Sequence, residues 1–220
     1  MSLIIALIVD DHHGYKDLIF SSDGRTVEHG SMKIRREDFD KVKKLSHTTC
    51  IGYVGGCGEL YEEVFVELSN ILKKSSLKDL LFVSNKLRQT ILKKIKLERF
   101  ENLEKEYGPL NHQFIIGGIY NKKLRIDKLF SSNNFQIRKH DYYSDQGCTI
   151  EILGSSDEVQ KKIKVLCEEK LGHKQTDEEI IKNLRFIISK IAEDANDINN
   201  HIFIRRLSQN FELESFIGYD

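Results

Sequence analysis

The sequence has no excess of either charge, no long apolar run and no paired cysteines, and each absence excludes a class of protein. Lys plus Arg equals Asp plus Glu at 34 each, a formal net charge of zero. A chain whose main work is neutralising phosphates needs a basic excess, so no nucleic-acid partner is expected. No apolar stretch reaches the roughly 18 residues that a membrane span requires. The opening run Leu3–Val9 is apolar but has no basic leader and ends in Asp10-Asp11, unlike a signal peptide. Four cysteines (Cys50, Cys57, Cys148 and Cys167) are scattered without a C-x-x-C pair. That spacing argues against a disulfide framework and for free thiols in a reducing cytoplasm. No Pro/Gly-rich linker, repeat or low-complexity tract divides the chain, so residues 1–220 read as one domain. The absence of tryptophan and the single proline carry no functional reading.

What is present is a change of hydrophobic period along the chain. Leu3–Val9 is a continuous apolar run, as in a strand buried on both faces. Leu18-Ile19-Phe20 reads as a second strand ending at Ser21-Ser22-Asp23-Gly24, and Val42–Leu45 with Thr49–Val54 as a strand pair. After Gly55-Gly56 the period lengthens to about 3.6 residues. Leu60, Val64, Leu68, Ile71 and Leu72 share one helical face, and a second helix is predicted from Leu77 to Glu106, before Gly108-Pro109. Strands return at Phe114–Tyr120 and Leu124–Phe130 around an Asn121-Lys122 turn, and again at Thr149–Leu153. Capping-box patterns at Ser155–Glu158 and Thr176–Glu179 open two more helices, the second burying Ile180, Leu184, Ile187, Ile188 and Ile191. A strand at His201–Arg205 closes the chain. The order suggests an α+β protein, a four-layer αββα sandwich being one of several options that this pattern permits.

Four short motifs occur in a fixed order: Asp23-Gly24-Arg25 after the second strand, Lys41-Val42-Lys43-Lys44-Leu45, the glycine turn Gly52-Tyr53-Val54-Gly55-Gly56, and Gly154-Ser155 at a helix start. Asp194 and then Asn200-His201 follow the last helix. Each motif alone is weak. Asp23 suits a turn, Lys41 is one of 34 basic residues, Ser155 suits a helix cap, and Gly55-Gly56 suits a tight strand-to-helix turn. Taken together, the ordered set resembles the proteasome β-subunit-like family of N-terminal nucleophile hydrolases, closest in motif to the peptidase subunit of the bacterial ATP-dependent two-component protease. The resemblance implies the αββα sandwich and hydrolysis of a peptide or amide bond by the first residue of the mature chain.

Carried over residue by residue, the resemblance places the nucleophile at Ser2, exposed when Met1 is removed. In that class the residue's own α-amine is the base, with an ordinary pKa of about 7.7–8.0. Lys41 would favour the neutral amine, and Asp23 would hold Lys41. The Gly55 N–H would stabilise the oxyanion, Ser155 and Asp194 would complete the network, and Tyr53 would line the substrate pocket. The resemblance implies no cofactor and no metal. It implies a homo-oligomer, a ring among its forms, and an ATPase as partner. The sequence departs from the family at Asp197, where proteasome β subunits have serine, and in a longer Asp10–Lys16 hairpin. A second reading stays open: a catalytically inactive scaffold or assembly protein on the same fold, which applies if Met1-Ser2-Leu3 is a leader and the native chain has no nucleophile.

Two other clusters are weaker. Asp10-Asp11-His12-His13 is too contiguous to converge on one ion and lacks a second ligand cluster. Cys57 beside the glycines is read as a buried structural thiol ahead of a reactive one.

Overall fold

Among the described residues, the apolar runs assemble into two antiparallel sheets of five strands each. The computed structural model describes residues 3–10, 16–27, 34–55, 57–75, 79–107, 111–141, 148–171, 175–195, 198–208 and 213–217. The first sheet holds β1 (Leu3–Asp10), β2 (Lys16–Asp23), β10 (Cys148–Gly154), β11 (Ile202–Ser208) and β12 (Leu213–Ile217), in the order β10-β1-β2-β11-β12. The second runs β5-β6-β7-β8-β9, from β5 (Val42–Ser46), β6 (Thr49–Val54), β7 (Gln113–Tyr120), β8 (Lys123–Phe130) and β9 (Arg138–Asp141). A small ribbon of β3 (Thr26–Val27) and β4 (Ile34–Arg36) lies between β2 and β5 in sequence.

β1 is apolar throughout because both of its faces are covered. Ile4, Ala6 and Ile8 point between the sheets and pack with Leu18, Phe20, Val42, Ile115 and Ile126. Leu3, Ile5, Leu7 and Val9 point outward and are covered by α4 (Asp157–Lys170) and α5 (Asp177–Ala192) through Ile163, Leu184, Ile187 and Ile188. On the other side α1 (Gly58–Lys74) and α2 (Leu80–Lys94) cover the second sheet through Leu60, Val64, Leu68, Val83, Leu87 and Ile91. The result is the αββα order of layers.

Several boundaries differ from the sequence reading. The long helix expected over Leu77–Glu106 is two helices, α2 and α3 (Glu98–Tyr107), joined by a turn in which Leu97 N donates to Lys94 O at 3.0 Å. The break re-aims the chain so that Phe100 is buried in the α1/α2 core, a tertiary demand with no glycine or proline to announce it. At the C-terminal end β11 reaches Ser208, and β12 pairs with it as an edge strand that the periodicity did not separate. β3, β4 and β9 are likewise short strands that periodicity missed. The capping box at Thr176 is present, its hydroxyl accepting from Glu179 N while the Glu179 carboxylate accepts from Thr176 N. The box expected at Ser155 is not formed: the N-cap is Ser156, which accepts from Val159 N. Ser155 stands one residue earlier at φ 62°, in the left-handed region. The Asn121-Lys122 turn has φ of 49° and 62°, the two-residue hairpin geometry matched to strand twist.

Candidate functional site at one end of the two sheets

Antiparallel register brings distant residues to one end of the sandwich. Leu3 pairs with Gly154, and Ile4 pairs with Ser22, so β1 begins between the ends of β10 and β2. On the other side of β2, Asp23 pairs with Ile202 of β11. Gln113 pairs with Val54 in the second sheet, and its Oε1 accepts from Gly154 N at 3.3 Å in the first. That bond ties the end of β10 to the end of β6, where Gly55 follows.

Asp23 is the hub. Its Oδ1 accepts from Leu3 N at 2.8 Å and from Lys41 Nζ, and its Oδ2 accepts from Arg25 N at 3.0 Å. The Lys41 and Asp23 side chains are only 2% and 0% exposed. A buried charge persists only when it is paired and hydrogen-bonded, and this carboxylate meets that condition through one cation and two backbone amides. Lys41 immediately precedes β5. Its carbonyl accepts from Tyr53 N at 3.2 Å and from the Tyr61 hydroxyl at 3.2 Å, which fixes the lysine backbone against β6 and α1.

The sequence reading missed three residues that support this end. Asn199 Oδ1 accepts from Gly24 N at 2.9 Å, and its Nδ2 donates to Glu37 O at 2.8 Å, so one amide joins the segment before β11 to both sides of the loop after β2. The Asn199-Asn200-His201 run was the available signal, but the contact belongs to the residue before the Asn200-His201 pair. Gly24 is required here, since a Cβ would lie 2.4 Å from Glu37 O. The other two residues are glutamines on either side of Gly154. Gln113 accepts from its N–H, and Gln160 of α4 donates to its carbonyl at 2.8 Å. They hold the Gly154-Ser155 turn, with φ of 78° and 62°, in a conformation that costs a non-glycine residue energy.

Of the residues named from sequence, Asp23, Lys41, Gly55 and Ser155 thus fall at this end of the molecule. Ser2 and Asp197 lie outside the described residues, as do Asp11, His12 and His13. Asp194 is elsewhere in its bonding: its side chain is 60% exposed and pairs with Lys162 of α4, a cation that holds its carboxyl below the usual aspartate range. Tyr53 is 4% exposed and belongs to the core under α1, stacked on Tyr61 at 5.1 Å and against Phe114 at 4.9 Å. Its hydroxyl lies 2.8 Å from His112 Nδ1 and accepts from Cys57 N at 3.1 Å. Burial pushes the Tyr53 hydroxyl pKa far up and brings His112 down to about 4, so both are neutral at ordinary pH.

The thiols follow the same physics. Burial pushes Cys50 and Cys167 up to about 12 and raises Cys57 and Cys148. Cys57, at the N-cap of α1, is therefore a structural thiol and not an activated one. Among the described residues no group of three or more His, Cys, Asp or Glu could hold a metal ion, and no helix is long and apolar enough to cross a membrane.

No family model and no curated protein matches the chain. Among solved structures, a Gly-1 mutant of Anbu from Hyphomicrobium sp. strain MC1 is similar over 100% of this chain and 89% of its own, with a TM-score of 0.65 at 12% identity. The fold is proteasome-like. This corrects the resemblance drawn from motif order. Assignment to the proteasome β-subunit-like family, nearest the bacterial two-component peptidase subunit, has no family or curated match behind it, and the structural likeness is to Anbu instead. At 12% identity that likeness establishes the fold alone.

Proposed function

We propose that the protein is a hydrolase of peptide or amide bonds that uses Ser2 as an N-terminal nucleophile. The observation that carries this reading is the buried Asp23–Lys41 pair, whose carboxylate also receives the Leu3 amide. That amide is the peptide group through which Ser2 joins the chain, so a buried cation and the start of β1 share one carboxylate oxygen. With Met1 removed, the Ser2 α-amine is the base. It takes the hydroxyl proton as Ser2 Oγ attacks the carbonyl carbon, and Lys41 keeps the amine neutral by like-charge repulsion. The resulting oxyanion is received by the Gly55 N–H. Collapse expels the amine, which takes the proton, and water then hydrolyses the Ser2 ester. Ser155, which follows the Gly154 that pairs with Leu3, orients the terminus, and Asp23 positions Lys41. The protein acts in the cytoplasm as a homo-oligomer, with an ATPase unfoldase as its partner.

Intact-mass measurement tests this directly. Loss of Met1 and one covalent adduct of an electrophilic peptide at Ser2, absent in Ser2→Ala, are expected. Processed protein that forms no adduct would remove the proposal.

One observation favours a second reading, a non-catalytic scaffold of the same fold. Asp194, expected to complete the network, is engaged with Lys162 at the surface. Unprocessed Met1 in protein from its natural source, together with an intact oligomer, would decide for the scaffold.

A further inference from the structure

Cys57 caps α1 without a side-chain bond, and the group that anchors this helix start is the Tyr53 hydroxyl from the strand before it. The same hydroxyl lies directly against Gly55: a Cβ there would be 2.4 Å from Tyr53 Oη and 2.9 Å from Asn111 O. His112 in turn is fixed by reciprocal bonds with Ser131, its N–H donating to Ser131 Oγ at 3.1 Å and its carbonyl accepting from Ser131 N at 2.9 Å. A hydrogen-bonded chain therefore runs from half-buried Ser131 through His112 and Tyr53 to the turn that bears Gly55. His112 is 3% exposed and Tyr53, in the core under α1, 4% exposed.

We infer that Tyr53 is a positioning residue of the Gly55 turn, its hydroxyl and His112 fixing the direction of the amide that receives the oxyanion, and not a wall of the substrate pocket. The inference rests on the hydrolase reading for its chemistry and on the hydrogen-bonded chain for its geometry. A hydroxyl has one proton to donate and lone pairs to accept with. Cys57 N donates to the Tyr53 oxygen, and with the His112 ring proton on Nε2 the Tyr53 O–H donates to His112 Nδ1, 2.8 Å away. Burial keeps the ring neutral and so able to offer that lone pair. Removing the hydroxyl leaves the aromatic packing in place but frees the turn, so the loss should fall on binding of a tetrahedral species and not on binding of the flat ground state.

The test compares wild type, Tyr53→Phe, His112→Leu and His112→Asn. The probes are a dipeptide leucine boronate, which forms a tetrahedral adduct, and the same dipeptide as a carboxamide. Tyr53→Phe should weaken the boronate about a hundredfold, the scale of a lost oxyanion donor, with carboxamide binding changed less than about threefold. His112→Leu should lose part of that affinity, and His112→Asn, which restores an acceptor near the Nδ1 position, should recover most of it. Amide exchange at Cys57 should quicken about tenfold or more in Tyr53→Phe while exchange at Ile51 is unchanged. Boronate affinity in Tyr53→Phe within about threefold of wild type, or unchanged Cys57 exchange, overturns the inference. A wild-type protein that forms no boronate adduct overturns the hydrolase reading instead, and Cys57 exchange then decides alone whether Tyr53 pins the turn.

Discussion

Replacing Lys41 by methionine isolates the buried pair at the centre of the site. Methionine keeps the length and apolar stem of lysine but leaves the Asp23 carboxylate, 0% exposed, without its cation. Breaking a buried pair from one side typically costs about 3–5 kcal/mol. Asp23 retains the Leu3 and Arg25 amides as donors, so the low end, about 3 kcal/mol, is expected. For a chain of this size that lowers Tm by roughly 6–12 °C. The double variant Asp23→Asn/Lys41→Met removes both charges and keeps an acceptor for Leu3 N. Its loss should therefore fall short of the sum of the single losses by about 1 kcal/mol or more. Thermal melts and urea titrations of the four proteins give the cycle. A Lys41→Met protein melting within about 2 °C of wild type, or strict additivity, would refute the argument that this pair is buried and mutually dependent.

His112 should make the protein acid-sensitive. Its pKa falls from 6.5 to about 4 on burial, so between those values the unfolded chain holds more protons than the folded one. Stability is then complete above pH 6.5 and declines as pH falls toward 4, by up to about 3 kcal/mol. Urea midpoints at pH 7 and 4.5 should fall further apart in wild type than in His112→Asn; equal separations would contradict the buried, neutral ring. Gly55→Ala should destabilise by about 1–3 kcal/mol through collision with Tyr53 Oη, whereas Gly58→Ala, whose Cβ meets nothing within 4 Å, should be neutral or stabilising in the same melts. In native protein at pH 8, a thiol-reactive disulfide should modify half-buried Cys148 first and leave Cys50 and Cys167 untouched until unfolding; rapid reaction at Cys57 would contradict its assignment as a structural thiol.

The sequence by itself determined the features set by spacing along a few residues. The unbroken apolar run of β1 announced a strand covered on both faces, the period of Leu60, Val64 and Leu68 announced the buried face of α1, and Thr176 with Glu179 announced a helix start. The Asp-Gly-Arg and Lys41 motifs marked residues that the fold brings together, although alone they looked like a turn and a surface lysine. Only the tertiary structure decided which of the named residues meet. Asp23 and Lys41 pair across 18 positions of sequence, Asn199 reaches Gly24 across 175, and Asp194 turns to Lys162. Strand alternation and register aim Tyr53 into the core under α1, and the burial of Phe100 divides α2 from α3. A hydrogen bond or buried charge depends on a few tenths of an ångström between distant segments, whereas periodicity reports only which face of its own element a residue occupies.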